Sequence, residues 1–191
     1  LALLDNDDFT GPNAGDKNKS NALHWAACTG HNAVCAALMQ HSRFTDINGT
    51  GADGATALHF AAREDHAEVC MTLLKDGKYP NRFTAVDAVD NRKKTALHWA
   101  AEEGLSEVCL TLLKDGRFTA VDAVDNGKRT ALHWAAEEGQ SEVCLTLLKD
   151  ERFTAVDAVD NFKSTALHLA AKKGHSEVCL TLVKDERFTA S

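Results

Sequence analysis

The chain has 191 residues, 44% hydrophobic and 26% charged, a balance that excludes a disordered polypeptide and fits a soluble folded one. Its 21 basic and 28 acidic residues leave a net charge of −7, which argues against a nucleic-acid partner bound through phosphates. No apolar run approaches the roughly 18 residues of a membrane helix, so direct membrane insertion is not expected.

At the start, Leu1-Ala2-Leu3-Leu4 is followed at once by Asp5, Asp7 and Asp8 and preceded by no basic segment, so it does not read as a secretory leader. Phe9 lies 35 residues before Phe44, so residues 1–4 match Leu110-Thr111-Leu112-Leu113 and read as the end of a helix in an earlier unit. The first complete unit opens at Asn21-Ala22-Leu23-His24. It returns as Thr-Ala-Leu-His at Thr56, Thr95, Thr130 and Thr165, at intervals of 35, 39, 35 and 35 residues. Four extra residues near Gly77-Lys78-Tyr79-Pro80-Asn81 account for the long interval. The units from Thr95 and Thr130 differ at only four of 35 positions, the mark of a tandem array. The whole chain, 1–191, therefore reads as one array. A partial unit and finger fill 1–20, repeats fill 21–55, 56–94, 95–129 and 130–164, and a last repeat over 165–191 runs into a shortened connector. Neither end carries a polar capping repeat. With no initiator Met, the expectation is a longer protein or a neighbouring subunit over the ends.

Within a unit, residues 131–138 predict a short helix that stops at Gly139, a residue suited to a left-handed C-cap. Ser141 reads as the N-cap of a second helix reaching about Asp150. The apolar stripe Val143, Cys144, Leu145, Leu147 and Leu148 is wider than one partner surface needs, as in a helix covered from two sides. The connector from Arg152 to Asn161 has β-branched residues and an Asp-Asn turn signal, so it reads as an extended finger. Trp25, Trp99 and Trp134 share a register with Phe60 and Leu169 and are expected as core between units.

Thr-Ala-Leu-His-x-Ala-Ala-x-x-Gly, then Glu-Val-Cys-x-x-Leu-Leu, then Val-Asp-Ala-x-Asp-Asn, resembles the ankyrin repeat over almost the whole chain. The resemblance implies an α-dominated solenoid of stacked helix-turn-helix repeats joined by β-hairpin fingers. It also implies a concave face of fingertips and first helices on which protein partners dock. In that family the column His24, His59, His98, His133 and His168 ties fingers to neighbouring backbone. The chain departs from the family in having Ala57, Ala96, Ala131 and Ala166 where Pro is usual. Arg-Phe-Thr-Ala leads into the finger, and Lys93, Lys128 and Lys163 stand where only Gly54 keeps the fingertip glycine.

Cys35, Cys70, Cys109, Cys144 and Cys179 recur at one register, too far apart along a stack, at about 10 Å, for the 4.4–6.8 Å of a disulfide. They read as small core residues, and unpaired thiols point to a reducing, intracellular setting, the cytoplasm first. Cys28 takes the register of Glu102 and Glu137. Gly49-Thr50-Gly51-Ala52-Asp53-Gly54 matches G-x-G-x-x-G, but it occupies a finger register and lacks the βαβ frame of a dinucleotide site. No nucleophile stands beside a base, so neither catalysis, a cofactor nor a metal is expected.

Partner specificity should lie where units differ. Asp53, Arg92 and Phe162 vary at the fingertip, and Lys94 and Arg129 at the finger base. The rim holds Glu102-Glu103 and Glu137-Glu138, reversed in sign at Lys172-Lys173, and Tyr79 sits in the lengthened loop. These twelve are the candidate contacts of a non-catalytic protein-interaction module. Two other roles stay open, a structural spacer in a larger assembly, and the regulatory or targeting arm of an enzyme whose catalytic domain lies outside this chain.

Overall fold

The computed structural model describes residues 6, 11–75 and 82–188. Among them ten helices occur in pairs, α1 (Ala22–Cys28) with α2 (Asn32–Gln40), α3 (Ala57–Arg63) with α4 (Ala67–Leu74), α5 (Ala96–Glu102) with α6 (Ser106–Lys114), α7 (Ala131–Glu137) with α8 (Ser141–Lys149), and α9 (Ala166–Lys173) with α10 (Ser176–Val183). First helices pack on first helices and second on second, so the molecule is a two-layered helical stack. No described residue is in a strand. The connectors are turns and extended segments, where the sequence led us to expect β-hairpins.

Each first helix starts on a reciprocal pair. Thr95 caps α5 by accepting from the His98 amide, and the His98 ring returns the bond, its Nδ1 accepting the Thr95 N–H at 3.1 Å. This is a capping box with histidine in the place of glutamate. Because Nδ1 accepts, the proton sits on Nε2, which donates to the Arg129 carbonyl of the next finger at 3.1 Å. His59 and His133 do the same to Lys94 and Ser164, and His24 to Gly49. One ring thus fixes a helix start and the next unit together. Burial lowers the pKa of His98 to about 4, and the bond to the Arg129 carbonyl only partly opposes this. His24, His59 and His133 shift in the same direction for the same reason.

The second helices begin without a side-chain cap. Ser141 is the first helical residue rather than the cap, a position that falls to Gln140. Gly139, at φ 77°, turns the chain so tightly that the Gln140 amide bonds the Ala135 carbonyl and the Ser141 amide the Gly139 carbonyl, which places Ser141 one residue inside the helix.

The Arg-Phe-Thr-Ala segment ties successive units. Phe44, Phe83, Phe118 and Phe153 are fully buried in the core, as is the cysteine column from Cys35 to Cys144. Arg152 is held by Asp150 at 2.7 Å and donates to the carbonyls of Phe118 (3.0 Å) and Leu113 in the preceding unit. Arg117 does this for Phe83 and Leu74, and Arg187 for Phe153 and Leu148. The guanidinium therefore satisfies carbonyls that a helix end leaves without partners. At the next turn, Asp122 Oδ1 accepts the amides of Thr154 and Ala155, as Asp87 does for Thr119 and Ala120.

Candidate functional site

The fingertips are built around an aspartate. Asp125 Oδ1 accepts the amides of Gly127 and Arg129, and its Oδ2 accepts the Trp134 indole N–H at 3.1 Å. Asp90 with Trp99 and Asp16 with Trp25 repeat the pairing. Where the aspartate is replaced by Gly51, the ring nine residues on is Phe60, which has no N–H to place. Where Leu169 replaces the tryptophan, Asp160 Oδ2 is buried without a hydrogen bond and faces only the Arg129 guanidinium at 3.6 Å. Burial alone would raise the Asp160 pKa, but the Ser164 and Phe162 amides and Arg129 outweigh it and hold the acid ionised.

Neighbouring tips are bonded to one another. Asn126 N–H donates to Arg92 O and Asn161 N–H to Gly127 O, both at 2.9 Å, and the Asn126 and Asn161 side chains add a second bond each. The row of tips is therefore one continuous edge rather than a set of independent loops.

Between this edge and the first helices, the groove changes character from unit to unit. A finger residue and a helix residue eight further on meet at each junction, with a ring from the next unit except at Arg129, where Leu169 stands in that register. At Lys94, Glu102 and Trp134, the buried Lys94 ammonium lies 2.7 Å from Glu102 and 3.3 Å from the Trp134 ring centroid. Arg129 bonds Glu137 at 2.6 Å and also faces the Trp134 ring. At Ala55, Arg63 and Trp99 the cation comes from the helix, 5.0 Å from the Trp99 ring. At Ser20, Cys28 and Phe60 neither the finger residue nor the helix residue is charged, and the cation at hand is Arg63 of the next unit, 5.7 Å from the Phe60 ring centroid. There a cavity of about 420 Å³ opens, lined also by Trp25, Asp53 and Arg63.

The expected contact residues therefore divide. Asp53, Arg92, Glu103, Glu138, Lys172 and Phe162 are exposed, Phe162 at 83%. Lys173 is exposed and reaches toward Glu137 at 3.8 Å. Glu102, Arg129 and Glu137 are half-buried and paired, and Lys94 lies beneath the face rather than on it, because Trp134 covers it. Tyr79 lies outside the described residues.

Trp25, expected in the core, is 54% exposed. Trp99 and Trp134 are covered by Arg63 and by Lys94, and among the described residues no side chain of a preceding unit does this for Trp25. Ser20 and Cys28, in the registers of Lys94 and Glu102, are the uncharged pair of the Phe60 junction that Trp25 adjoins. The Cys28 thiol is pushed up by burial. Among the described residues, no cluster of His, Cys, Asp or Glu is arranged to hold a metal ion. None of the described helices is long and apolar enough to cross a membrane.

Stacked helix pairs, histidine ties and projecting fingers define a helical repeat solenoid. The family model for ankyrin repeats (3 copies) matches residues 2–84, 44–122, 82–157 and 118–190. The chain belongs to the ankyrin repeat family, whose repeats are generally protein–protein interaction modules and typically non-catalytic. No curated protein matches it significantly.

Proposed function

We propose that the protein is a non-catalytic interaction module that binds a protein partner with its fingertips and first helices. The carrying observation is that the residues that hold units together recur from unit to unit, whereas fingertip and finger-base positions such as Arg92, Gly127 and Phe162, or Lys94, Arg129 and Ser164, change at each step. Lys94–Trp134 closes one junction, whereas Trp25, Cys28 and Phe60 leave another open. An exposed aromatic at each end of the face, Trp25 and Phe162, supplies the kind of anchor that dominates protein interfaces. The chain acts as one array with units at 21–55, 56–94, 95–129, 130–164 and 165–191. The net charge of −7 disfavours nucleic acid, and free cysteines suit a reducing compartment.

The test compares a Trp25→Ser/Phe162→Ser variant with a Leu110→Ser/Leu145→Ser variant, the latter altering exposed residues of the second helices. Both are checked for helicity by circular dichroism and used to capture partners from cell extract. A partner lost by the first variant and kept by the second supports the reading; the opposite pattern refutes it.

The second reading, a structural subunit held at its end, rests on one observation. Leu180 and Val183 of α10 are 59% and 62% exposed beside a shallow cavity with Ala171 and Cys179. Binding lost by Leu180→Ser/Val183→Ser alone would favour it.

A further inference from the structure

The fingertips also indicate what kind of segment they take, an inference that rests on the interaction reading above. Three successive tips place a lysine at the same point of the turn, Lys93, Lys128 and Lys163, each with φ at 60°. The second finger has Gly54 there, at φ 80°, the residue that left-handed backbone favours. A non-glycine residue held in that region is a strain feature of the sort concentrated at functional sites. The side chains themselves are exposed and, among the described residues, none is ion-paired. Lys94, Arg117, Arg129 and Arg152, which hold the fold together, are by contrast each bound to a carboxylate within 2.8 Å. Arg92 adds a further exposed cation beside Lys93, and Phe162 stands next to Lys163.

The spacing of the row sets the register of its partner. Each finger contributes two chain segments, joined within the finger by Asp125 N–H to Arg129 O and between fingers by Asn126 N–H to Arg92 O. Hydrogen-bonded segments lie about 4.8 Å apart, so the tips recur about every 10 Å. An extended peptide rises about 3.3 Å per residue, which brings every third residue of it to successive lysines. A continuous polyanion fits poorly, because Glu103 and Glu138 lie exposed on the neighbouring helix ends and repel a charge at every step.

We propose that Lys93, Lys128 and Lys163 form a docking strip for an extended acidic segment of a protein partner, with a carboxylate at every third residue and an apolar residue that meets Phe162. The probe is a fluorescent peptide with Asp at every third position, uncharged residues between, and a terminal Phe. Its isomer with contiguous Asp and a single-stranded oligonucleotide serve as competitors, and binding is read by anisotropy at low salt. The variant Lys93→Gly/Lys128→Gly/Lys163→Gly is expected to bind the peptide roughly tenfold more weakly, the sum of three exposed ion pairs, while melting at a higher temperature. The Lys→Asn triple variant, which also tolerates left-handed backbone, guards against an unforeseen folding effect and is expected to lose the same affinity. Three results overturn the proposal: no binding by the native protein, unchanged binding by both folded variants, or equal binding of the contiguous isomer or the oligonucleotide. If the peptide fails while the Trp25/Phe162 variant still loses its partner, the acidic strip falls and the interaction face stands.

Discussion

The junction at Lys94 and the junction at Ser20 share one backbone plan and end in opposite states. In the first, a buried ammonium fills the space between Glu102 and Trp134. In the second, Ser20, Cys28 and Phe60 leave the space open and Trp25 half in solvent. The difference is confined to the side chains that meet there, since helix packing and histidine ties are common to both. A repeat scaffold can thus open or close its groove locally without altering the stack, because each unit contacts only its neighbours.

The sharpest way to break the closed junction is to remove its aspartate. Asp125 is buried with three donors upon it, and Asp125→Ala is expected to cost about 3 kcal/mol, given roughly 1 kcal/mol per hydrogen bond and more for a charged acceptor. Asp125→Gly combined with Trp134→Phe imports the Gly51 and Phe60 solution and should cost less than its two single changes added together. Urea titrations of the four proteins decide this, and strict additivity would show that the pairing is coincidental.

Acid attacks closed and open junctions alike. The folded pKa of His98 lies below its ordinary value, so the unfolded chain binds more protons as pH falls from about 6.5 toward 4. Stability is fully present above 6.5 and is lost through that window, about 2 kcal/mol for His98 at pH 5. His24, His59 and His133 add in the same sense. Melts between pH 7 and 5 should show the fall, and the His98 ring proton resonances should titrate near 4.

Leu169→Trp extends the closed pattern to the last described junction. It offers the buried Asp160 Oδ2 the indole N–H that Asp125 and Asp90 receive, for an expected gain of about 1 kcal/mol. An unchanged or lowered melting temperature would show that Arg129 already satisfies this oxygen. The smallest change, Lys128→Gly, relieves left-handed backbone and should stabilise by about 0.5–1 kcal/mol, read as a raised midpoint in urea.

The stack was legible in the sequence because 35-residue self-similarity reports a unit that buries its apolar face only against a copy of itself. Helix ends were legible too, apart from the capping role given to Ser141. Backbone bonds around Gly139 start the helix one residue earlier, at Ser141, and such bonds leave no mark on residue type. The arginine ties were not seen, since a guanidinium that reaches the preceding helix end reads, in one dimension, as an ordinary surface charge.

Sequence alone determined the architecture, the repeat register and the cysteine column from Cys35 to Cys144, though not the tryptophan column, because these follow from periodicity and from which side chains avoid water. Tertiary structure alone decided which variable residues are exposed. Lys94 and Phe162 are both departures from a repeat and look equally available in the chain. Folding brings Trp134 of the next unit over Lys94 and brings nothing over Phe162, and exposure depends on that neighbour, 40 residues away for Lys94.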